Sequence, residues 1–276
     1  MAQKQLTDEQ VKAKIIAQHQ QGTQKDLQFP TEIVPLPSRG LVYPTDHPLA
    51  AGQVEIKYMT AREEDILTNS NLLKSGRALD ELYKKLVIGN GKGEPIDIDE
   101  MITGDKSALM LASRILGYGN EYTITLIGSE GEEFSHVVDL NELSVKDVDY
   151  SLYKNSRELE YKLPVSGVTV TFKFKNSAEE NILQKDIARL TKAGKSQGVT
   201  ILLKHSIVAI DGDRDTKKVH NFIENHLLAK DSLQFRGYAA SVTPDYNLTI
   251  SVDRPEHGFQ KDISLPIDTD FFWPRA

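Results

Sequence analysis

The sequence predicts an α+β fold in which helices are combined with several antiparallel β-hairpins. Three observations point there. Apolar residues recur at helical spacing in some stretches and alternate with period two in others, and the switches between these periods fall at Gly, Pro, Asp and Asn. The chain has 276 residues, 39% hydrophobic and 26% charged, a composition that buries a core and departs from disordered or fibrous chains. That length holds two domains or one elaborated domain.

Taken in order, Thr7-Asp8-Glu9-Gln10 forms a capping box ahead of Val11, Ile15 and Ile16, so a short amphipathic helix is expected, followed by a glutamine-rich polar stretch. Residues 1–28 read as a helix and flexible arm. A lone helix of ~14 residues is marginal in water without a partner surface, so the segment is either a frayed end or a docking arm. Pro30, Pro35, Pro37 and Pro44 then enforce extended and turning backbone, of the kind that lies across a surface.

Val54, Ile56 and Tyr58 alternate as in a strand. Thr60-Ala61-Arg62-Glu63 is a second capping box, starting a helix to about Thr68. Leu79, Leu82, Tyr83 and Leu86 share one helical face, and Leu109, Ala112, Ile115 and Leu116 share another. Between them, Gly89-Asn90-Gly91-Lys92-Gly93 reads as a mobile loop. β-Branched and aromatic residues around glycine-bearing turns give hairpins over residues 122–140 and 159–174.

Ser177-Ala178-Glu179-Glu180 is a third capping box, opening a helix with Ile182, Leu183, Ile187 and Leu190 on its stripe. Residues 200–210 are apolar and β-branched and are expected to be mainly strand. Asp215 or Thr216 can cap a helix through Phe222, Ile223 and Leu227, and Asp231 with Gln234 a shorter one through Gly237 and Tyr238. Residues 248–267 form a last hairpin. Residues 117–140 and 237–266 thus repeat one plan, a helix feeding a hairpin, without repeating residues.

The net charge of −7 argues against nonspecific nucleic-acid binding, which requires a basic surface to displace counterions. The chain has no cysteine, which removes disulfides and thiolate zinc sites. A polar N-terminus and short apolar runs predict neither signal peptide nor membrane span. Catalytic motifs fail on inspection. Asp211, Asp213 and Asp215 imitate the start of a calcium loop, but Thr216 and Phe222 stand where glycine and a bidentate glutamate are required, so an acidic turn capping a helix is preferred. The glycine-rich 89–93 loop lacks the lysine–hydroxyl pair of a phosphate loop. His220 and His226 fall on different helix faces, and no serine sits in a nucleophile elbow. No catalytic residue, metal ligand or cofactor is expected.

Interaction candidates are easier to name. They are Pro35, Leu36, Pro37, Arg39 and Tyr43 in the proline-rich segment, Val11 and Ile15 in the N-terminal helix, and Phe271, Phe272 and Trp273 in the aromatic tail. The tail is too apolar to remain in solvent, since each ring gains about 1.5–3 kcal/mol on burial. Folding back onto its own core is favoured over plugging into a neighbour.

These segments also carry a resemblance. The order of Leu36-Pro37-Ser38-Arg39-Gly40, Met59-Thr60-Ala61-Arg62-Glu63-Glu64-Asp65-Ile66-Leu67, Gly119-Asn120-Glu121-Tyr122 and His205-Ser206-Ile207-Val208-Ala209-Ile210-Asp211-Gly212-Asp213 resembles the T-even-like bacteriophage base plate protein family. Asp231-Ser232-Leu233-Gln234-Phe235-Arg236, Thr243-Pro244-Asp245 and Asp270-Phe271-Phe272-Trp273-Pro274 extend the match over roughly residues 30–276.

The resemblance implies a base plate hub subunit or hub assembly factor of a contractile tail, without catalysis. Many such proteins carry paired cysteines in two hairpins, suggesting zinc ribbons. Here the corresponding turns read Ile127-Gly128-Ser129-Glu130-Gly131 and Asp253-Arg254-Pro255-Glu256-His257-Gly258, so the two hairpins resemble metal-free ribbons held by packing. The expected partners are other tail and base plate hub proteins, with the tape-measure protein as a further one, and neither nucleic acid nor membrane. The expected location is the virion tail base plate, after assembly in the host cytoplasm. The organisation expected is the arm, an N-terminal α+β half over 29–155 with the first hairpin, and a C-terminal half over 156–276 ending in hairpin and aromatic tail. Rival readings are a transient chaperone absent from the virion and a hub-associated cell-wall hydrolase.

Overall fold

The proline-rich segment enters as a strand. β1 (Thr31–Pro35) pairs antiparallel with β2 (Gln53–Lys57), which also pairs with β3 (Val87–Gly89). The alternation that predicts β2 is realised, with Val54 and Ile56 buried beneath the sheet. This computed structural model describes residues 30–272 apart from 75, 193, 195–197 and 268. The expected N-terminal helix, with Val11 and Ile15, lies outside the described residues, as does Trp273.

The second capping box forms as predicted at the start of α1 (Ala61–Thr68), with Glu63 accepting from the Thr60 N–H at 3.0 Å. Burial opposes ionisation of Glu63, but bonds from Lys57 and Thr60 outweigh it and hold its pKa down to about 2. The short α2 (Ser70–Lys74) and amphipathic α3 (Ala78–Leu86) follow. The glycine-rich turn after β3 is more ordered than a mobile loop. Asn90, 1% exposed, accepts from the N–H groups of Lys92 and Glu94 at 2.9 and 3.2 Å and donates to the Glu94 carboxylate. That side chain supplies the turn with the partners that a loop would otherwise seek in water.

The long α4 (Thr103–Tyr118) runs into the hairpin of β4 (Glu121–Ile127) and β5 (Glu133–Asp139). β6 (Glu158–Lys162), β7 (Thr169–Lys173) and β8 (Ile207–Ile210) make a second antiparallel sheet in the order β6-β7-β8. Between β7 and β8 stand α5 (Ser177–Lys192) and α6 (Gly198–Ser206).

Here the sequence reading needs two corrections. Residues 200–210 are not mainly strand: they are helix to Ser206 and strand only from Ile207. A short apolar run does not reveal its period, and packing of α6 between α5 and α7 (Thr216–Asn225) selects the helix. The third capping box sits one residue earlier than expected. Asn176 caps the Glu179 N–H at 2.9 Å and Glu179 returns to the Asn176 N–H at 3.0 Å, while Ser177 turns inward to donate to the Met101 carbonyl.

α7 is capped by Asp215, as expected, through the N–H groups of Lys217 and Lys218. Next comes α8 (Ala229–Val242), longer than predicted and beginning two residues before Asp231. Asp231 is not its cap. It is fully buried and accepts instead from the N–H groups of Val165 and Ser166 at 2.8 and 3.0 Å, fixing the β6–β7 turn onto α8. The last hairpin, β9 (Thr249–Arg254) and β10 (Phe259–Ser264), precedes a single helical turn, α9 (Thr269–Phe272).

One hydrophobic cluster runs from Val34 to Phe272 and draws on both halves of the chain. The halves are also stitched by backbone: the Thr103 N–H donates to the Lys175 carbonyl at 3.1 Å and Lys146 N–H to Asp245 at 2.8 Å. The resulting architecture is α+β, with small antiparallel sheets of two or three strands around the helices. Among the described residues no helix is long and apolar enough to cross a membrane.

Candidate interaction surface

The proline-rich segment was expected to offer side chains to a partner, and most of it does not. Leu36, Pro37 and Tyr43 are buried in the chain's own interior, leaving Pro35 and Arg39 exposed. The physical reason is Asp105, in the first turn of α4 and 0% exposed. It accepts from the Ser38 N–H at 2.9 Å, the Ser38 hydroxyl at 2.7 Å and the Tyr43 hydroxyl at 2.7 Å. Tyr43 in turn accepts from the Ile102 N–H at 3.0 Å. The loop is therefore bolted to the start of α4. Burial raises the Asp105 pKa to about 6 against the pull of these three bonds, with Asp245 nearby adding to the rise. Burial, with Asp105 beside it, also drives the Tyr43 hydroxyl well above its ordinary value.

Arg39 remains at the surface with left-handed backbone, φ 54°. Its guanidinium lies 3.9 Å over the Tyr150 ring, and the Tyr150 hydroxyl donates to the Pro37 carbonyl at 3.1 Å. Of the five candidates in this segment, Arg39 and Pro35 are the ones a partner can reach.

The aromatic tail folds inward. Phe271 is 0% exposed, edge-on to Tyr122 at 5.0 Å and to Phe272 at 4.9 Å, and Tyr122 donates to the Pro266 carbonyl at 3.0 Å. Phe271 and Phe272 thus clamp the chain's own fold, as the fold-back reading has it.

The two helix-fed hairpins predicted to share a plan do more than that, for they pack against each other. Phe134 from β5 and Val252 and Phe259 from the β9–β10 hairpin form a small core of their own. Their tips touch. Ser129 N–H donates to the His257 carbonyl at 2.9 Å, the His257 ring stacks on Phe134 at 4.3 Å, and its Nδ1 lies 3.2 Å from Glu132 Oε1. These are the turns in which the resemblance would place paired cysteines. The residues present do not suit zinc: His257 and Glu132 face each other, and among the described residues no three His, Asp or Glu side chains gather as a metal site. A polar clasp and an apolar core do the joining.

The acidic turn is equally occupied from within. Asp211 accepts from the Thr169 N–H at 2.8 Å, Asp213 from the Asp215 N–H at 2.9 Å, and Asp215 caps α7. Large apolar side chains still exposed include Ile127 and Val137 on the outer face of the β4–β5 hairpin, Ile182 on α5 and Val199 on α6. No local pattern in the sequence announces the joint at Asp105, since Ser38 lies 67 residues away. No family model, no curated protein and no solved structure matches the chain.

Proposed function

We propose that the chain is a structural component or assembly factor of the base plate hub of a contractile phage tail, and that it acts by binding other tail proteins. One observation carries this reading. The segments that resemble the base plate family are the segments that join the fold: Ser38 bonded to Asp105, Asp231 holding the β6–β7 turn, Pro244 packed on Gly104, and Phe271 set against Tyr122. Residues spread over the chain and shared in order are what a common fold would require at its joints.

Two further features support binding over catalysis. Among the described residues burial raises two carboxylates, Asp105 and Asp245, and both are engaged within the chain: Asp105 is fully enclosed with its three hydrogen bonds, and Asp245 accepts from the Tyr246 N–H at 2.7 Å. Exposed apolar side chains lie on hairpin and helix rims, where partner proteins would cover them. The partners on this reading are hub and tail proteins, including the tape-measure protein, and the site of action is the tail base plate.

Mass spectrometry of purified virions and of tail-assembly intermediates tests the proposal. A fixed copy number in virions supports a subunit, presence in intermediates alone supports an assembly factor or chaperone, and absence from both defeats the reading. Clearing of cell-wall material by the purified protein would favour a hydrolase instead.

A further inference from the structure

Between β7, α6, α8 and the start of α4 lies a hollow of about 410 Å³, within the size range of small-molecule sites. Phe172, Phe174 and Phe235, each buried, line it together with Ile102, Leu202, Leu203, Ala239 and Ala240. The charged residues lining it are Lys173, Lys175 and Arg236, and none of the described lining residues is acidic. The two lysines are already matched, Lys173 to Glu179 at 2.6 Å and Lys175 to Glu180 at 3.8 Å. Arg236 is different. Its Nε donates to the Ser232 carbonyl one turn back at 3.3 Å, and no described carboxylate pairs with its guanidinium.

We infer that this hollow binds a small organic anion with an apolar body, a monocarboxylate in the simplest case, with Arg236 receiving the carboxylate and the phenylalanine side receiving the body. The inference is independent of the base plate reading. It rests on two features that occur together: aromatic walls that favour an apolar group, and a planar cation with donors to spare at the same place. An apolar hollow alone would select against such a ligand, because a carboxylate loses hydration on entry and needs a charged partner to regain it.

That opposition makes the test decisive. The full chain is titrated with the anionic fluorophore 8-anilinonaphthalene-1-sulfonate, and the bound dye is then displaced with octanoate or with 1-octanol, which share chain length and differ in charge. Saturable binding to the folded protein is expected, with octanoate displacing the dye at about tenfold lower concentration than octanol, the worth of one charge-assisted pair. Arg236→Gln should reverse that order by weakening octanoate while leaving octanol unchanged. Ala240→Phe, at an exposed position on the rim, should block dye and both competitors, and circular dichroism shows whether that variant has kept its fold. The inference fails if the folded chain binds no dye saturably, if octanol competes as well as octanoate, or if Arg236→Gln leaves octanoate competition intact. If Ala240→Phe does not fold, the Arg236→Gln arm decides alone.

Discussion

The Asp105 joint and the hairpin clasp are both polar, both long-range in sequence and similar in bond length, yet they are built for different environments. At the first, Ser38 and Asp105 are 0% exposed and Tyr43 2%, so no water stands ready to replace a lost partner. At the second, Ser129 is exposed and the His257 and Glu132 side chains are about a third exposed, so water can take up either group. A buried donor left unmatched costs about 1–3 kcal/mol, whereas a surface ion pair contributes ~0–1 kcal/mol. The lesson is that the first joint determines whether the proline-rich segment stays folded on α4, while the second only sets how two hairpins already joined by Phe134, Val252 and Phe259 meet at their tips.

The largest effect that would break this contrast is expected at Asp105. Asp105→Ala strands the Ser38 N–H, the Ser38 hydroxyl and the Tyr43 hydroxyl in a dry site, and should cost about 3–5 kcal/mol in urea unfolding. His257→Ala, the counterpart at the clasp, should cost under ~1 kcal/mol for its polar contact with Glu132, plus about 0.5–1.5 kcal/mol for the ring stack on Phe134. Equal losses would show that burial does not separate the two joints.

The pH dependence of stability sharpens the comparison next. Asp105 titrates at about 6 when folded, against an ordinary 3.8, so between those values the folded chain holds more protons than the unfolded one. Its contribution is therefore fully present below pH 3.8 and is lost as pH rises through 6, a change of ~3 kcal/mol at 1.36 kcal/mol per unit. Glu63 runs the other way: lowered from 4.5 to about 2, it stabilises above pH 4.5 and loses that contribution as pH falls through 2. Between pH 4 and 6 the Asp105 slope should thus stand clear of the Glu63 one. Urea midpoints across this range should fall with pH in the wild type and fall less steeply in Asp105→Asn, where Asp245, also raised by burial, keeps part of the slope; parallel curves would assign the slope to another group.

Gly40 tests the backbone beneath the same joint. It has φ +78°, and a Cβ there would stand 2.5 Å from the Ala50 carbonyl oxygen. Gly40→Ala combines a disfavoured left-handed residue with a clash against backbone that cannot rotate away, for an expected loss of about 2–3 kcal/mol in the same unfolding assay. A loss below ~0.5 kcal/mol would mean that the loop can slide on α4.

How far these features were legible in the sequence follows from the range of the interactions behind them. The capping box at Thr60 and Glu63, the Asp215 cap, the turns of the hairpins and the alternation in β2 are local, and the residues announce them. The shared helix-then-hairpin plan was legible for the same reason. Ser38 with Asp105, Asp231 with Val165, and His257 with Glu132 join positions far apart in the chain, and a lone Asp gives no sign of which N–H it will meet. Asp231 shows the failure most clearly. Its spacing to Gln234 satisfies a capping pattern, yet the β6–β7 turn supplies donors that a buried carboxylate holds in preference to its own helix. Residues 200–210 failed differently, since β-branched content there is outweighed by packing of α6. Arg236 was read only as part of a motif; its place beside Phe235 at the hollow depends on β7 and α6 arriving from elsewhere.

The smallest effect is expected at Gly258, the hairpin counterpart of Gly40. Both have positive φ, +57° and +78°, and in both a Cβ would be closer than contact allows. The atom it meets differs. At Gly258 it is the exposed Ser129 side chain, whose hydroxyl oxygen at 2.1 Å can rotate into solvent while its Cβ at 2.8 Å moves only with the turn. Gly258→Ala should therefore cost the conformational term, about 1 kcal/mol, with a smaller addition for easing the turn off Ser129 Cβ, and leave the hairpins packed through Phe134 and Phe259. Adding Ser129→Gly should recover only that smaller part, by removing the Ser129 Cβ, so the coupling between the two changes should stay below ~1 kcal/mol. Strong coupling between them, read from the four urea curves of the double-mutant cycle, would mean that the tip is as rigid as the Asp105 joint and that the contrast between them is one of location alone.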